Sequence, residues 1–293
     1  MTIDTMLAID IGGTKLAVAL VKGAKVLSYS RVATPASDGP EAVLASTVVA
    51  GQQLVSEAGV VPAAIGVACA GVVAAGRVRA MSRDLLPGWE DFPLVERLER
   101  HFNLQVAALN DAQAAAFGEW LYGSGGARSS LFFVTVSTGV GGGLVVGNQP
   151  WRGSSGLAGH IGHVRGGVLE KVASGTALAK RAAEAGHPLD ASRVIDAAQV
   201  GEPWARELLD QAAQALAAVL ADVKLLIDPE VVVLGGGVGL NPAFRDVVNT
   251  TLSSHHGSLG LEVVAAKLGS HAGLVGAAAL AGRKPAGLLL KGE

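Results

Sequence analysis

Cysteine is nearly missing from this chain: Cys69 is the only one in 293 residues. A lone thiol permits no intrachain disulfide and no cysteine-rich metal site, which favours a reducing compartment and a cytoplasmic protein. Charge of one sign is missing too. A formal net charge of −2 and a pI near 6.4 leave no basic stripe, so nucleic acid is not an evident partner. No basic leader precedes an apolar run at the N-terminus, and no signal peptide is expected. Residues 58–76 carry no charge over a membrane-spanning length, but Pro62 and recurring Gly and Ala break them. A buried strand flanked by turns is expected there, and no membrane partner. Familiar nucleotide signatures are absent as well. There is no GxxxxGK[ST], which excludes a P-loop; no glycine run keeps GxGxxG spacing; protein-kinase signatures are lacking.

What is present points to phosphate by another route. Residues 7–20, LAIDIGGTKLAVAL, read as a strand, a bare turn at Gly12-Gly13 and a returning strand. The glycines remove side chains that would keep a polyphosphate from backbone N–H groups, and Thr14 adds a hydroxyl donor. Asp10 is compatible with phosphate only if Mg2+ or its water shell lies between them. Taken alone, the segment also reads as an ordinary hairpin. A second copy of the arrangement at 131–146, LFFVTVSTGVGGGLVV, argues for two related halves facing one nucleotide. A third glycine run, VVVLGGGVG at 231–239, follows a buried strand and offers a surface that a ribose or adenine ring could approach.

The length suits two α/β lobes. Helical spacing is expected over 40–57, 92–101, 112–121, 176–185, 204–226 and 272–281, and strands over 64–70, 105–109 and 231–234. Residues 153–167 are expected to be irregular. The domains are expected at 1–115 and 116–270, with a C-terminal helix at about 271–289 packing back on the first.

Asn110-Asp111-Ala112-Gln113 falls where a strand ends and a helix begins, the edge of an α/β sheet at which ligands bind. Taken alone, the tetrad reads first as a helix N-cap at Asp111. Beside a polyphosphate site, transfer to an alcohol needs a carboxylate that orients the hydroxyl and accepts its proton, and Asp111 is the candidate. Asn110 is placed to hold a sugar hydroxyl beside it. The run GLAGHIGH at 156–163, followed by Glu170, supplies His160, His163 and a carboxylate. An HxxH pair is a weak metal signal, and hydrogen bonding to the adjacent hydroxyls of a sugar is the better reading.

The motif order DIGGTK, NDAQAAA, STGVGGG, GLAGHIGH, LEKVASG, LGGGVG and HAGLVGAA resembles that of the ROK sugar kinases, within the actin/hexokinase-like ATPases. The resemblance covers nearly the whole chain, and it implies a two-lobed α/β fold of RNase-H-like lobes closing over Mg-ATP and a hexose. It also implies a homodimer. Carried over by position, Asp111 matches the catalytic base, and Asn110, His163 and Glu170 match sugar contacts. Gly71 matches a glycine lining that pocket. Ala8, Asp10, Gly12, Gly13, Thr14 and Lys15 match the first phosphate segment, with Asp10 holding Mg2+ through water. Ser137, Thr138, Gly139, Gly141 and Gly142 match the second, and Gly236 and Gly237 the adenosine side.

His160, where glucokinases of the family carry Glu, resembles the bacterial N-acetylmannosamine kinases, as do TPAS at 34–37 and Gln113. An imidazole there would donate to the carbonyl of an acetamido group. Two departures stand out. The CxCGxxGCxE zinc loop of many members is missing, leaving only His163 of four ligands, so no structural zinc is expected and 165–168 should form a short bridge. The family's Asn-Leu ahead of the Pro-Gly turn is Leu85-Leu86, and Asp84 or Arg83 would have to replace the lost sugar contact. The activity implied is ATP-dependent phosphorylation of N-acetylmannosamine at its 6-hydroxyl, with a glucokinase as the alternative. Sugar-responsive repressors of the family carry a DNA-binding domain ahead of the first motif, and a sugar-binding module without catalysis would not need Asp111 and both turns.

Overall fold

Six consecutive residues of the opening segment, Met6–Ile11, are buried except for Asp10, and a strand so apolar on both faces is stable only inside a sheet. The computed structural model describes residues 4–81 and 86–283, apart from the side chains at 255, 256 and 258. Strands β1 (Met6–Ile11), β2 (Lys15–Lys22) and β3 (Lys25–Ala33) run antiparallel, followed by helix α1 (Pro40–Ala58) and strand β4 (Ile65–Cys69). A small hairpin, β5 (Val72–Ala74) and β6 (Arg77–Arg79), precedes α2 (Leu94–Phe102), β7 (Val106–Asn110) and α3 (Asp111–Tyr122). β4 and β7 add to β1 in parallel, giving the order β3-β2-β1-β4-β7.

The second half begins with β8 (Ser130–Val136), β9 (Val140–Val146) and β10 (Gln149–Trp151). Helices α4 (Val168–Ala173), α5 (Gly175–Glu184), α6 (Ala191–Gln199) and α7 (Pro203–Ile227) follow, then β11 (Val232–Gly235), α8 (Pro242–His256), β12 (Val263–Ala265) and α9 (Ala272–Ala281). Its sheet order is β10-β9-β8-β11-β12. Position for position this is the order of the first sheet, with an antiparallel trio and two parallel additions. The two glycine turns therefore occupy equivalent corners of two equivalent sheets.

The chain divides into two compact units, Met1–Gly118 with His271–Glu293, and Glu119–Ser270. In the first, Val43, Leu44, Leu94 and Leu98 of α1 and α2 fill one core with Leu7, Ile9, Ile65 and Val67 of the sheet. α9 belongs to this unit and packs backbone to backbone. A Cβ on Gly276 would sit 1.7 Å from Ala114 O, and one on Gly66 2.0 Å from Ala277 O. Those glycines set the position of α3, whose first residue is Asp111. Gly276→Ala is expected to lower the urea midpoint by an amount equivalent to about 3 kcal/mol, because a backbone carbonyl cannot yield as a side chain can. In the second unit the core is built by α4 to α8 around Phe132, Val134, Val232 and Leu234.

Strands β3, β5, β6, β10 and β12 and helices α4, α6 and α8 have no counterpart in the elements expected from sequence. α2 begins at Leu94 rather than Phe92, and the residues expected to be irregular hold only short 3-10 turns within Ile161–Gly167, interrupted by extended Val164 and left-handed Arg165 and Gly166.

Candidate active site

In the first unit the polar residues gather where β1, β4 and β7 end. Asp10 is the last polar residue of β1, and Asn110 and Asp111 close β7 and open α3. The cap at this junction is Asn110. Its Oδ1 accepts from Ala112 N (3.0 Å) and Gln113 N (3.3 Å), and its Nδ2 donates to Gly71 O (2.9 Å). This assigns the capping role, weighed for Asp111 from sequence, to its neighbour. Asp111 is exposed at the first helical position, and its Oδ1 accepts from Ala112 N at 2.8 Å. Asn110 keeps one amide hydrogen for a ligand, since its oxygen is engaged twice.

The Asp10 carboxylate makes no hydrogen bond or ion pair among the described residues, and burial followed by the Asp111 charge pushes it up to about 7. The Cys69 thiol beneath is pushed up as well, by burial first and then by Asp111 and Asp10. Both shifts come first from burial and then from acidic neighbours, so the ionised carboxylate is disfavoured here. A carboxylate in that condition fits Mg2+, a hard cation that takes oxygen ligands. The first glycine turn is tight. A Cβ on Gly12 would lie 3.0 Å from Lys15 O, while Thr14 and Lys15 are exposed. Gly71, at φ +95°, would drive a Cβ to 2.7 Å from Arg79 O, so its glycine is required by the β5–β6 hairpin, and its carbonyl orients Asn110. Ala8 is wholly buried in mid-sheet, which corrects the expectation that it touches nucleotide; it contributes packing.

In the second unit, Ser137–Gly139 form the turn between β8 and β9, with Ser137 N donating to Gly139 O (2.9 Å). Glu170 of α4 reaches this turn: its Oε2 accepts from Val140 N at 3.1 Å. Gly162 must be bare here, since a Cβ would lie 2.1 Å from Val140 O, while one on Gly139 would come 3.2 Å from that carboxylate oxygen. Gly142, expected at phosphate, is buried under Gly159, whose carbonyl would be 2.6 Å from a Cβ there; packing is the reason for this glycine. Gly236 (φ +84°) would put a Cβ 2.3 Å from Val136 O, whereas Gly237 opens onto free space. His163 is exposed. His160 Nδ1 lies 3.1 Å from Leu157 O, a carbonyl that can only accept, so Nδ1 carries a proton and Nε2 is the ring nitrogen turned inward.

The ROK family profile matches residues 6–284. The chain belongs to the ROK family. It is 41% identical over 285 residues to the bifunctional enzyme NanE/NanK of Brucella melitensis, covering 94% of this chain and 54% of that one. It thus spans about half the length of the bifunctional relatives it matches. It is 38% identical over 290 residues to the N-acetylmannosamine kinase of Escherichia coli strain K12/DH10B, covering 94% of this chain and 98% of that protein. The ROK family glucokinase from Streptomyces griseus, solved with glucose and AMPPNP, superposes with a TM-score of 0.81 at 31% identity, covering 94% and 99% of the two chains.

As a ROK protein it departs from the zinc-loop pattern, and the structure shows what bridges the gap. Arg165, Gly166 and Gly167 are three successive left-handed residues (φ +52°, +70° and +80°). Arg165 pairs with Asp222 of α7 at 2.5 Å, and Lys171 Nζ donates to Gly166 O at 3.2 Å. No group of three or more His, Cys, Asp or Glu is gathered as a metal site among the described residues. Asp84, expected at the sugar, lies outside the described residues, as do Arg83 and Leu85; Leu86 is core. Sequence reasoning missed two residues beside the turns. Thr34 Oγ1 donates to Gly12 O (2.8 Å), and Thr176 Oγ1 donates to Thr138 O (2.8 Å). The signal was a threonine directly after β3 and another opening a helix, neither recognisable without the pairing.

Proposed function

We propose that the protein transfers the γ-phosphoryl group of ATP to the 6-hydroxyl of N-acetyl-D-mannosamine, giving N-acetylmannosamine 6-phosphate and ADP. The observation that carries the chemistry is the pair Asp10 and Asp111 at the C-terminal edge of one sheet, next to a bare glycine turn. The sugar is supported by the identity with N-acetylmannosamine kinase over nearly that protein's whole length.

In this reading Asp111 accepts the hydroxyl proton as the oxygen bonds to the γ-phosphorus and the bond to the β-phosphate oxygen breaks. Its exposed carboxylate at a helix start is preorganised by α3 and free of the capping duty that Asn110 performs. Asp10 holds Mg2+ through water, and the ion supplies neutralisation of phosphate charge. The amides of residues 12–15 and 137–141 bind phosphate oxygens, and Gly236 with open Gly237 accepts the adenosine side. Asn110 Nδ2, His160, His163 and Glu170 bind sugar hydroxyls and the acetamido group, with Gly71 holding Asn110 in place. No structural zinc is included, and a cytoplasmic homodimer is the form proposed. No described helix is long and apolar enough to cross a membrane.

A glucokinase is the second reading, favoured by the likeness to the Streptomyces griseus enzyme. A coupled ADP-release assay comparing N-acetylmannosamine, glucose, mannose and N-acetylglucosamine separates the two, and no ADP release with any hexose would overturn both. A ring N–H of His160 suits an acetamido carbonyl, to which a carboxylate has no hydrogen to donate. His160→Glu is therefore expected to reduce the kcat/KM preference for N-acetylmannosamine over glucose by about tenfold. An unchanged ratio in competition kinetics would remove His160 from sugar selection.

A further inference from the structure

We infer that Thr34 and Thr176 are positioning residues that set the backbone of the two glycine turns for phosphate, an inference that rests on the phosphate assignment of those turns above. The two threonines make parallel contacts from unrelated elements. Thr34 directly follows strand β3, and its N–H donates to Thr14 O (3.1 Å) while its hydroxyl donates to Gly12 O (2.8 Å). Thr176 is the second residue of helix α5, and its N–H (3.2 Å) and its hydroxyl (2.8 Å) both donate to Thr138 O. Gly175 N beside it donates to Ser137 O at 2.7 Å.

Repetition of the sheet order does not demand this. In one unit the anchor is contributed by an edge strand and in the other by a helix start, yet each turn has a threonine donating through both its backbone N–H and its hydroxyl. The consequence follows from peptide geometry. A trans peptide is planar, with its C=O and the next N–H pointing in opposite directions. Holding the carbonyls of Gly12 and Thr14 against Thr34 turns the amides of Gly13 and Lys15 away from it. Holding the carbonyls of Ser137 and Thr138 against α5 turns the amides of Thr138 and Gly139 away likewise. Each turn thus presents amide hydrogens on one side with its carbonyls engaged on the other, which is how backbone forms an anion-binding concavity. Were the carbonyls released, either could rotate to the ligand side and repel phosphate oxygens. The requirement for glycine agrees: a Cβ at Gly12 would lie 3.0 Å from Lys15 O, closer than a backbone carbonyl readily accepts.

The test is calorimetric titration of the full chain with Mg-AMPPNP, without sugar. Thr34→Val and Thr176→Val keep the shape and the backbone N–H while removing the hydroxyl. Each is expected to weaken Mg-AMPPNP binding by about five- to tenfold, in line with loss of one hydrogen bond to a carbonyl that must then reorient. In steady state KM for ATP should rise while KM for the sugar stays within twofold. Thr34→Ser and Thr176→Ser, which restore a hydroxyl, should return affinity to within twofold of wild type. Urea midpoints on every variant separate folding from binding, and alanine variants serve where a valine variant does not fold. Folded valine or alanine variants that bind as tightly as wild type would overturn the inference, as would weakening that serine does not reverse. A wild-type protein that fails to bind Mg-AMPPNP would instead overturn the phosphate assignment itself.

Discussion

Asp111→Asn is expected to lower kcat by about a thousandfold or more while changing neither the fold nor Mg-AMPPNP affinity by more than a few-fold. The structure permits so clean a separation because the helix cap lies elsewhere. Asn110 Oδ1 holds Ala112 N and Gln113 N, and that cap survives the substitution. An amide oxygen at position 111 can still accept from Ala112 N as the carboxylate does at 2.8 Å. What is lost in stability is one negative charge in the first turn of α3, worth about 0.3–1 kcal/mol. What is lost in chemistry is the proton acceptor. An amide cannot take the proton of an alcohol that is bonding to phosphorus, and no other described carboxylate shares this helix start. Removing the Asp111 charge also relieves one of the two influences that push the Asp10 carboxyl up, so metal binding at Asp10 should not suffer. The measurement is kcat from ADP release at saturating sugar, alongside a urea midpoint and a Mg-AMPPNP titration. A folded variant with kcat within tenfold of wild type would assign the base to another group.

The parts of this molecule that were legible from sequence are those where a local rule and the tertiary environment agree. β1 is apolar on both faces and sits in the interior of a sheet; the glycine turns lie where the spacing put them; α9 is alanine-rich because it approaches other backbones within the reach of a Cβ. Strand β3 was not legible because its pattern is inverted. Leu27 and Tyr29 are exposed at 45% and 43%, while Ser28 and Ser30 face inward, so period-two reading would assign its faces wrongly. The signal for α8 was present and passed over: Asn241 caps it by accepting from Ala243 N, and Pro242 opens its first turn, a combination that marks a helix start. The same holds for α6 with Asp190 as its cap.

Within the site, residue types were readable but their partners were not. Asn110 and Asp111 were correctly singled out as a pair at the end of a strand, yet which of the two caps the helix depends on side-chain torsions. Glu170 was read as a hydroxyl ligand, and the spacing gave no hint that one oxygen is held by Val140 N across 30 positions of sequence. His160 illustrates the limit most sharply. Its Nδ1 meets Leu157 O, and a contact of that kind is invisible in a string of residues.

Asp10→Asn should make the metal-free protein more stable and nearly inactive at once. The Asp10 carboxyl, buried and close to Asp111, titrates near 7, whereas in an unfolded chain it would titrate near 3.9. Between those values the folded state binds more protons than the unfolded state. The free energy of unfolding therefore falls as pH rises from about 4 to about 7, and the loss is complete above 7. The shift corresponds to a destabilisation on the order of a few kcal/mol at pH 8, none of which an asparagine incurs. The variant should consequently melt several degrees above wild type at pH 8 without metal, and the difference should vanish near pH 4. Mg2+ acts on the same group from the opposite side. It binds the ionised carboxylate, so its apparent affinity for wild type in the AMPPNP complex should weaken by up to about tenfold from pH 8 to pH 6, as the proton competes at Asp10. The Asn variant should lose this pH dependence at position 10 together with a hundredfold or more of kcat. Differential scanning calorimetry of both proteins at pH 4, 6 and 8, with EDTA and with Mg2+ plus AMPPNP, measures the stabilities and the metal linkage, and ADP release at saturating sugar measures kcat. Equal melting temperatures at pH 8 in EDTA would show that the Asp10 charge is already compensated, and normal turnover of the variant would remove the metal from this carboxylate. If instead stability rises as activity disappears, the unpaired charge is a strain the fold retains for the ion it holds.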